Sequence, residues 1–238
     1  MGIEVQAIDP TLVHALGSVS TATVTTVLLK KGLRNVWLRG TKPLAPGQPR
    51  AVGRAFTLRF ISAREDLATP AAWSSPISTR TAVEAMPPGC ICVAGAMGVT
   101  DAGIFGDILC ARMRRIGVAA LVTDGVVRDA TGVLSTGLPV WCQGAAAPAS
   151  VTGLTFVNWQ EPIDCGGVAI FPNDVILADE DGAVVIPAAL LEPVVHLALE
   201  QERLETWIMD KVVAGERLPG LYPPDAENLL RYENETNA

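Results

Sequence analysis

Asp107 and the adjacent pair Arg128-Asp129 are the residues of this 238-residue chain whose types and spacing could do chemistry. A carboxylate can carry a proton or hold a hard cation, and a planar guanidinium can clamp a carboxylate through two parallel hydrogen bonds. All three residues fall within residues 103–129, and the local pattern says how they would be held. Gly103 and Gly106 precede an apolar-periodic segment, Ile108, Leu109, Met113 and Ile116. That pattern predicts a helix opening at a glycine-rich turn, with Asp107 in its first turn and Gly117 at its end. Val118-Ala-Ala-Leu-Val122 is an apolar run of strand length, and Asp124-Gly125 is a turn signal leading into Arg128-Asp129. With Cys90-Ile-Cys-Val93 as the preceding strand, two strand-to-loop junctions lie at one end of neighbouring parallel strands, where open α/β sheets bind ligands. Asp107, Arg128 and Asp129 are therefore expected to face one pocket.

Each of these residues also has a plainer role. An acid in a first helical turn is stabilising without any catalysis, and Arg128-Asp129 would serve as a salt-bridged helix start. Asp124 is expected to cap a turn more readily than to bind a metal.

The elements around this stretch mix helix and strand. Residues 9–31 read as two helices, the first capped by Asp9-Pro10 and the second, rich in threonine, ending at Gly32. Residues 51–61 alternate apolar with polar residues, which predicts a strand with one wet face. Residues 64–77, including Trp73, read as a long irregular segment suited to a lid or a subunit contact. A helix at 79–86 stops at Pro87-Pro88-Gly89. Downstream, residues 137–142 give a short strand, and 168–172, 174–179 and 182–187 give three more, separated by turns. Asp179-Glu-Asp-Gly182 lacks the alternating ligands and distal Glu of a calcium loop and is expected to be a hairpin turn. A long helix is expected from Pro187 to about Val213, followed by an acidic tail that wraps on a neighbour or frays. No linker or repeat is visible, so residues 1–238 are expected to form one layered α/β domain, with N-terminal helices at 1–32 and a C-terminal helix and tail at 188–238.

Composition narrows the function classes. The chain is 49% hydrophobic and 18% charged, enough to fill a core, and its net charge of −7 leaves no basic footprint for nucleic acid; Arg112, Arg114 and Arg115 read as a solvated helix face. No segment reaches the roughly 18 apolar residues of a membrane span, and the first residues lack a signal-peptide pattern, so a cytoplasmic location is expected. Five scattered cysteines and two histidines suggest reduced core thiols and not a disulfide framework or a zinc site.

Three stretches resemble one family: Gly106-Asp-Ile-Leu109, Thr123-Asp-Gly-Val-Val-Arg-Asp129, and Gly167 through Pro187. The chain is similar to proteins related to the regulator of ribonuclease activity A. These include divalent-metal (class II) pyruvate aldolases acting on 4-hydroxy-4-methyl-2-oxoglutarate and 4-carboxy-4-hydroxy-2-oxoadipate. The resemblance implies a swivelling β/β/α domain, assembled as a homotrimer or hexamer with the C-terminal helix and tail on a neighbouring subunit. It implies a lyase that cleaves a small 2-oxo acid through a pyruvate enolate and decarboxylates oxaloacetate. Arg128 would bind the substrate carboxylate and carbonyl, and Asp129 would hold Mg²⁺ or Mn²⁺. Backbone groups of Gly106, Asp107, Ile108 and Leu109 would hold substrate, and Asp107 would be the acid/base group. Glu200, Glu202 or Glu205 would complete a neighbour's site. Thr23-Val-Thr-Thr-Val stands where many relatives carry an acidic segment. Two rivals remain: a lyase or hydratase acting on a sugar-derived 2-keto-3-deoxy acid, and a non-catalytic protein that binds a ribonuclease.

Overall fold

Short runs of β-branched and small apolar residues, each interrupted by glycine or a polar turn, dictate many short strands and a sheet buried on both faces. The computed structural model describes residues 5–236. Two helices open the fold, α1 (Pro10–Gly17) and α2 (Thr21–Lys30), then two short strands, β1 (Trp37–Leu38) and β2 (Lys42–Pro43), and the long β3 (Ala51–Ser62). Next come α3 (Thr79–Glu84), β4 (Ile91–Gly95), α4 (Asp107–Arg115), β5 (Ala120–Thr123), α5 (Ala130–Ser135) and β6 (Val140–Cys142). The second half holds β7 (Leu154–Trp159), β8 (Ile163–Cys165), β9 (Val168–Ile170), β10 (Val175–Asp179), β11 (Gly182–Ile186), α6 (Leu191–Val213) and α7 (Ala226–Thr236).

The main sheet runs β1-β11-β10-β3-β4-β5-β6-β2, with β7 on the far part of β3. Strands β3, β4, β5 and β6 are parallel, whereas β10, β11 and the outer pairs are antiparallel. The two end strands, β1 and β2, are consecutive in the chain, so the sheet curls until its edges meet, which leaves little open edge. Side-chain alternation then separates two cores. Ile91, Val93, Ala120, Val122 and Trp141 point inward against β10, β11, α2 and α6. Cys92, Ala94, Leu121, Val140 and Cys142 point outward beneath α3, α4 and α5. This is the β/β/α layering that the sequence resemblance implies. Trp141 crosses the inner core, and its Nε1 donates to Asp179 O at 2.7 Å, which satisfies the one polar atom of a fully buried indole.

The wet face expected for β3 is not there. Apart from Arg59, its side chains are buried or half-buried up to Phe60, because one face enters the inner core through Ala51 and Ala55 and the other enters the outer core through Phe56, Leu58 and Phe60. The threonine-rich α2 forms because its start is fixed from outside. Thr21 donates from both N and Oγ1 to the buried Asp179 carboxylate, at 2.8 and 2.7 Å. That same carboxylate accepts from Asp181 N, so the 179–182 segment is the hairpin turn between β10 and β11.

Part of the tail is ordered where fraying was one expectation: residues 226–236 form α7, which packs on α6 of the same chain. Tyr232 packs edge-on against Trp207, and Trp207 lies under two cations, Lys211 at 5.2 Å and Arg231 at 5.5 Å from the ring centroid. Glu235 accepts from Lys211, Trp207 Nε1 and Arg231 at 2.6, 2.9 and 3.0 Å, and these donors hold its carboxyl down at about 2. A depressed acid contributes stability that is present above its unfolded value and lost as pH falls toward the folded one. Lowering the pH from 5 to 2 should therefore release α7 first. Hydrogen exchange should show residues 226–236 losing protection before β4 and β5, and Glu235→Gln should weaken that pH dependence, leaving the part due to Glu216, whose carboxyl Arg231 also holds below its ordinary value.

Candidate active site

The helix that feeds a parallel strand starts at the sheet end where the strand finishes, so α3 and α4 both present their N-termini at the carboxyl ends of β4 and β5. Three loops leave the sheet there, residues 96–106, 124–129 and 143–150, and backbone hydrogen bonds lace them together. Ile104 N donates to Val126 O (2.9 Å), Arg128 N to Phe105 O (2.8 Å), Gly103 N to Pro148 O (2.8 Å) and Ala146 N to Val127 O (2.9 Å). The lacing demands glycine. A side-chain carbon at Gly103 would meet Arg128 at 2.7 Å, and one at Gly106 would meet Asp129 Oδ2 at 2.9 Å. In α5, Gly132 gives Asp107 its room in the same way, at 2.8 Å.

Together these elements enclose a cleft of about 220 Å³ lined by Gly106, Asp107, Ile108, Leu109, Arg128 and Asp129. Every residue singled out for the pocket lines it. Three wider hollows elsewhere lack such convergence: one of about 450 Å³ runs along α2 and Trp37, one of about 360 Å³ lies by Arg54 and residues 87–90, and one of about 850 Å³ lies between α6 and α7.

Asp107 is the first residue of α4, and its Oδ1 accepts from Ile108 N at 2.7 Å. Gly106, not Asp107, is the N-cap and supplies no side-chain acceptor, so with Ile108 N bound to Asp107 Oδ1, the N–H groups of Asp107 and Leu109 at this helix start have no protein acceptor among the described residues. Asp129 begins α5 with φ 53° and ψ 44°, in the left-handed region. Aspartate enters that region more readily than most residues, yet such backbone is kept at a cost and clusters at ligand sites. Its Oδ2 accepts from Arg128 Nε at 3.0 Å, with the two side chains 47% and 40% exposed. An ion pair this exposed is worth about 0–1 kcal/mol, too little to be the reason for the strained backbone. Among the described residues Arg128 Nη1 and Nη2 have no hydrogen-bond partner, so its outward fork is free to take an anion.

Asp124 does not face the cleft. It is 4% exposed and its carboxylate accepts three backbone N–H groups, Ala96 at 2.6 Å, Gly98 at 3.1 Å and Gly166 at 3.0 Å. It is the clasp that ties the end of β4 to the β8–β9 turn; the turn that follows it, which it was expected to cap, is capped by Thr123 Oγ1 accepting from Gly125 N at 3.0 Å.

The C-terminal glutamates lie on α6, away from this cleft. Glu202 accepts from Ser20 N, Glu205 from Gln201, and Glu200 from Arg203 and Tyr232. All five cysteines are buried, and burial pushes Cys90 and Cys110 up to about 12, so these thiols stay protonated and unreactive.

Sequence reasoning missed Trp73, Thr79, Arg80 and Ser150, which also line the cleft. Arg80 had a usable signal. It stands two residues past the α3 cap Ser78, in the helix that feeds β4, and such a helix starts at the pocket end of the sheet. Trp73 comes from a single turn of tight helix, Pro70–Ser74, inside the segment read as irregular.

Asp124→Ala would strand the buried Ala96 N–H and leave the half-buried Gly166 N–H poorly satisfied, while the exposed Gly98 N–H can turn to water; a buried donor left unsatisfied costs about 1–3 kcal/mol. Urea unfolding should show a loss of about 2 kcal/mol, against less than about 0.5 kcal/mol for an exposed control such as Glu161→Gln.

A family model described as RraA-like, Aldolase/RraA, matches residues 19–185. The chain is 36% identical over 132 residues to a protein of Halalkalibacterium halodurans provisionally named 4-hydroxy-4-methyl-2-oxoglutarate aldolase, covering 53% of this chain and 62% of the relative. It is 29% identical over 203 residues to Protein DlpA of Legionella pneumophila, covering 84% of this chain and 32% of that protein. The chain thus spans about a third and just under two thirds of the lengths of these two relatives. Among solved structures, Streptomyces coelicolor RraAS2, described as an unusual member of the RNase ES inhibitor RraA protein family, superposes with a TM-score of 0.77. The two are 35% identical, and the superposition covers 86% of this chain and 98% of that one. With the family model spanning most of the sequence and the same fold found in a relative of known structure, the chain belongs to the RraA-like (aldolase/RraA) family.

Proposed function

We propose that the cleft cleaves a small 2-oxo acid through a pyruvate enolate, in the manner of a class II 4-hydroxy-4-methyl-2-oxoglutarate aldolase, and that it decarboxylates oxaloacetate by the same route. One observation carries the reading: a guanidinium with a free fork, a carboxylate in left-handed backbone and the open N-terminus of α4 converge on one small cleft. At about 220 Å³, it lies below the roughly 300–1,000 Å³ of sites for drug-sized ligands, which suits a short acid.

Arg128 takes the substrate carboxylate through its Nη atoms, as planar donors do best. First-turn N–H groups of α4 hold the oxygen that becomes negative. In the aldol substrate the C3–C4 bond breaks, its electron pair passes into the enolate of pyruvate, and the C4 hydroxyl gives its proton through a water molecule to the Asp107 carboxylate as the second carbonyl forms. Asp107 then returns that proton, again through water, to C3 of the enolate. Among the described residues no group of three or more His, Cys, Asp or Glu could hold a metal. A lone carboxylate with a free oxygen fits Mg²⁺ or Mn²⁺, which keep most of their waters, so Asp129 is the residue that would hold the ion. When bound, that ion supplies Lewis-acid stabilisation of the enolate charge.

The homotrimer or hexamer expected from the resemblance is supported by exposed apolar side chains on α6, Leu197, Met209 and Val213. A second reading, a non-catalytic ribonuclease-binding protein, draws support from the family description of the Streptomyces relative.

Pyruvate release from 4-hydroxy-4-methyl-2-oxoglutarate and from oxaloacetate, followed with lactate dehydrogenase, tests the proposal. Release should need Mg²⁺ or Mn²⁺ and vanish with chelator. Asp129→Asn, which keeps a residue tolerant of left-handed backbone, should abolish it without unfolding the protein. Asp107→Asn should lower kcat about 10²- to 10⁴-fold. Failure of both substrates with metal present would favour the sugar-acid lyase or the binding protein.

A further inference from the structure

The cleft holds a second guanidinium that the chemistry above does not use. Arg80, in the first turn of α3, lines the cleft together with Arg128 but comes from the opposite element. Its Cζ lies 5.3 Å from the centre of the Trp73 ring, and its Nη1 reaches Trp73 O only at a long 3.4 Å. Stacking on an indole orients a guanidinium while leaving its in-plane donors open. Among the described residues Arg80 forms no ion pair, whereas Arg64, Arg112, Arg203 and Arg231 each have a carboxylate. An unpaired, stacked arginine facing the same small cavity as a carboxylate clamp is placed to take a second anion on the same molecule.

We propose that Arg80 is a specificity-determining residue, held by Trp73, that reads a carboxylate at the far end of the substrate and so selects dicarboxylic 2-oxo acids. This rests on the lyase reading of the cleft, which it narrows. A sugar-derived acid ends in hydroxyls and would leave this guanidinium without its charge partner. In the cleavage itself Arg80 takes no part: the distal carboxylate stays on the carbonyl product, and no bond to it forms or breaks.

Two measurements separate this inference from the reading beneath it. Turnover of 4-hydroxy-2-oxoglutarate is compared with that of 4-hydroxy-2-oxopentanoate, which carries a methyl group in place of the distal carboxylate. Arg80→Met should raise KM for the dicarboxylate about tenfold or more, the loss of one charge-assisted pair, leave its kcat within a factor of about two, and leave the monocarboxylate unchanged; Arg80→Lys should recover part of the loss. Equal effects on both substrates, or none, would overturn the inference while the lyase reading stands. Separately, quenching of Trp73 fluorescence, taken as the difference from Trp73→Phe, reports binding of unreactive 2-oxoglutarate and of 2-oxobutyrate. Arg80-dependent binding of 2-oxoglutarate alone would uphold the distal reader even if nothing is turned over, in which case only the lyase reading falls. Equal binding of both acids, or binding unaffected by Arg80→Met, would remove Arg80 from recognition.

Discussion

The site depends on the backbone lacing of three loops beyond the parallel strands. A strand-end loop normally has its N–H and C=O groups in water and is free to move. Here residues 103–106 bond to 126–128 on one side and to 148 on the other, so the sheet continues, in effect, past its own ends. Gly103 and Gly106 are the steric condition for that, since any side chain there would collide with Arg128 or Asp129. The Asp124 clasp fixes the neighbouring turn from below. A side-chain pair carried on such a frame needs little further support, and Arg128 and Asp129 are half-exposed.

The rest of the fold supplies the frame with a rigid base. β3 joins the antiparallel and parallel parts of the sheet, Trp141 spans the core between them, and Asp179 binds both the indole, through its carbonyl, and the start of α2, through its carboxylate. The buried carboxylates of Asp124 and Asp179 are committed to backbone and side-chain donors, whereas those of Asp107 and Asp129 line the cleft. That division follows from solvation: a buried acid persists only where N–H or O–H groups replace its water, and a group so committed has no oxygen left for a substrate or an ion.

Much of this was legible in the residues themselves. The helix over α4, its glycine-rich entry, the strand after it and the convergence of Asp107 with Arg128-Asp129 follow from periodicity and from the rule that ligands gather at one end of parallel strands. What periodicity could not show was long-range context. β3 alternates in sequence, yet it is covered on both faces because a separate core packs against each. Residues 219–236 look like a loose tail, yet a tryptophan stacked under two cations and a glutamate shared by three donors pin them to α6. Arg80 and Trp73 were missed because the first sits in a helix of ordinary composition and the second in a segment with no period. Only the fold brings them over the cleft.

Anomalous diffraction from crystals soaked with Mn²⁺ and pyruvate tests whether Arg128, Asp129 and the start of α4 act together on one small oxo acid. A manganese peak is expected at coordination distance from the Asp129 carboxylate, with pyruvate carboxylate oxygens on Arg128 Nη1 and Nη2. Manganese and pyruvate bound elsewhere, with this cleft holding only water at saturating concentrations of both, would contradict this joint action.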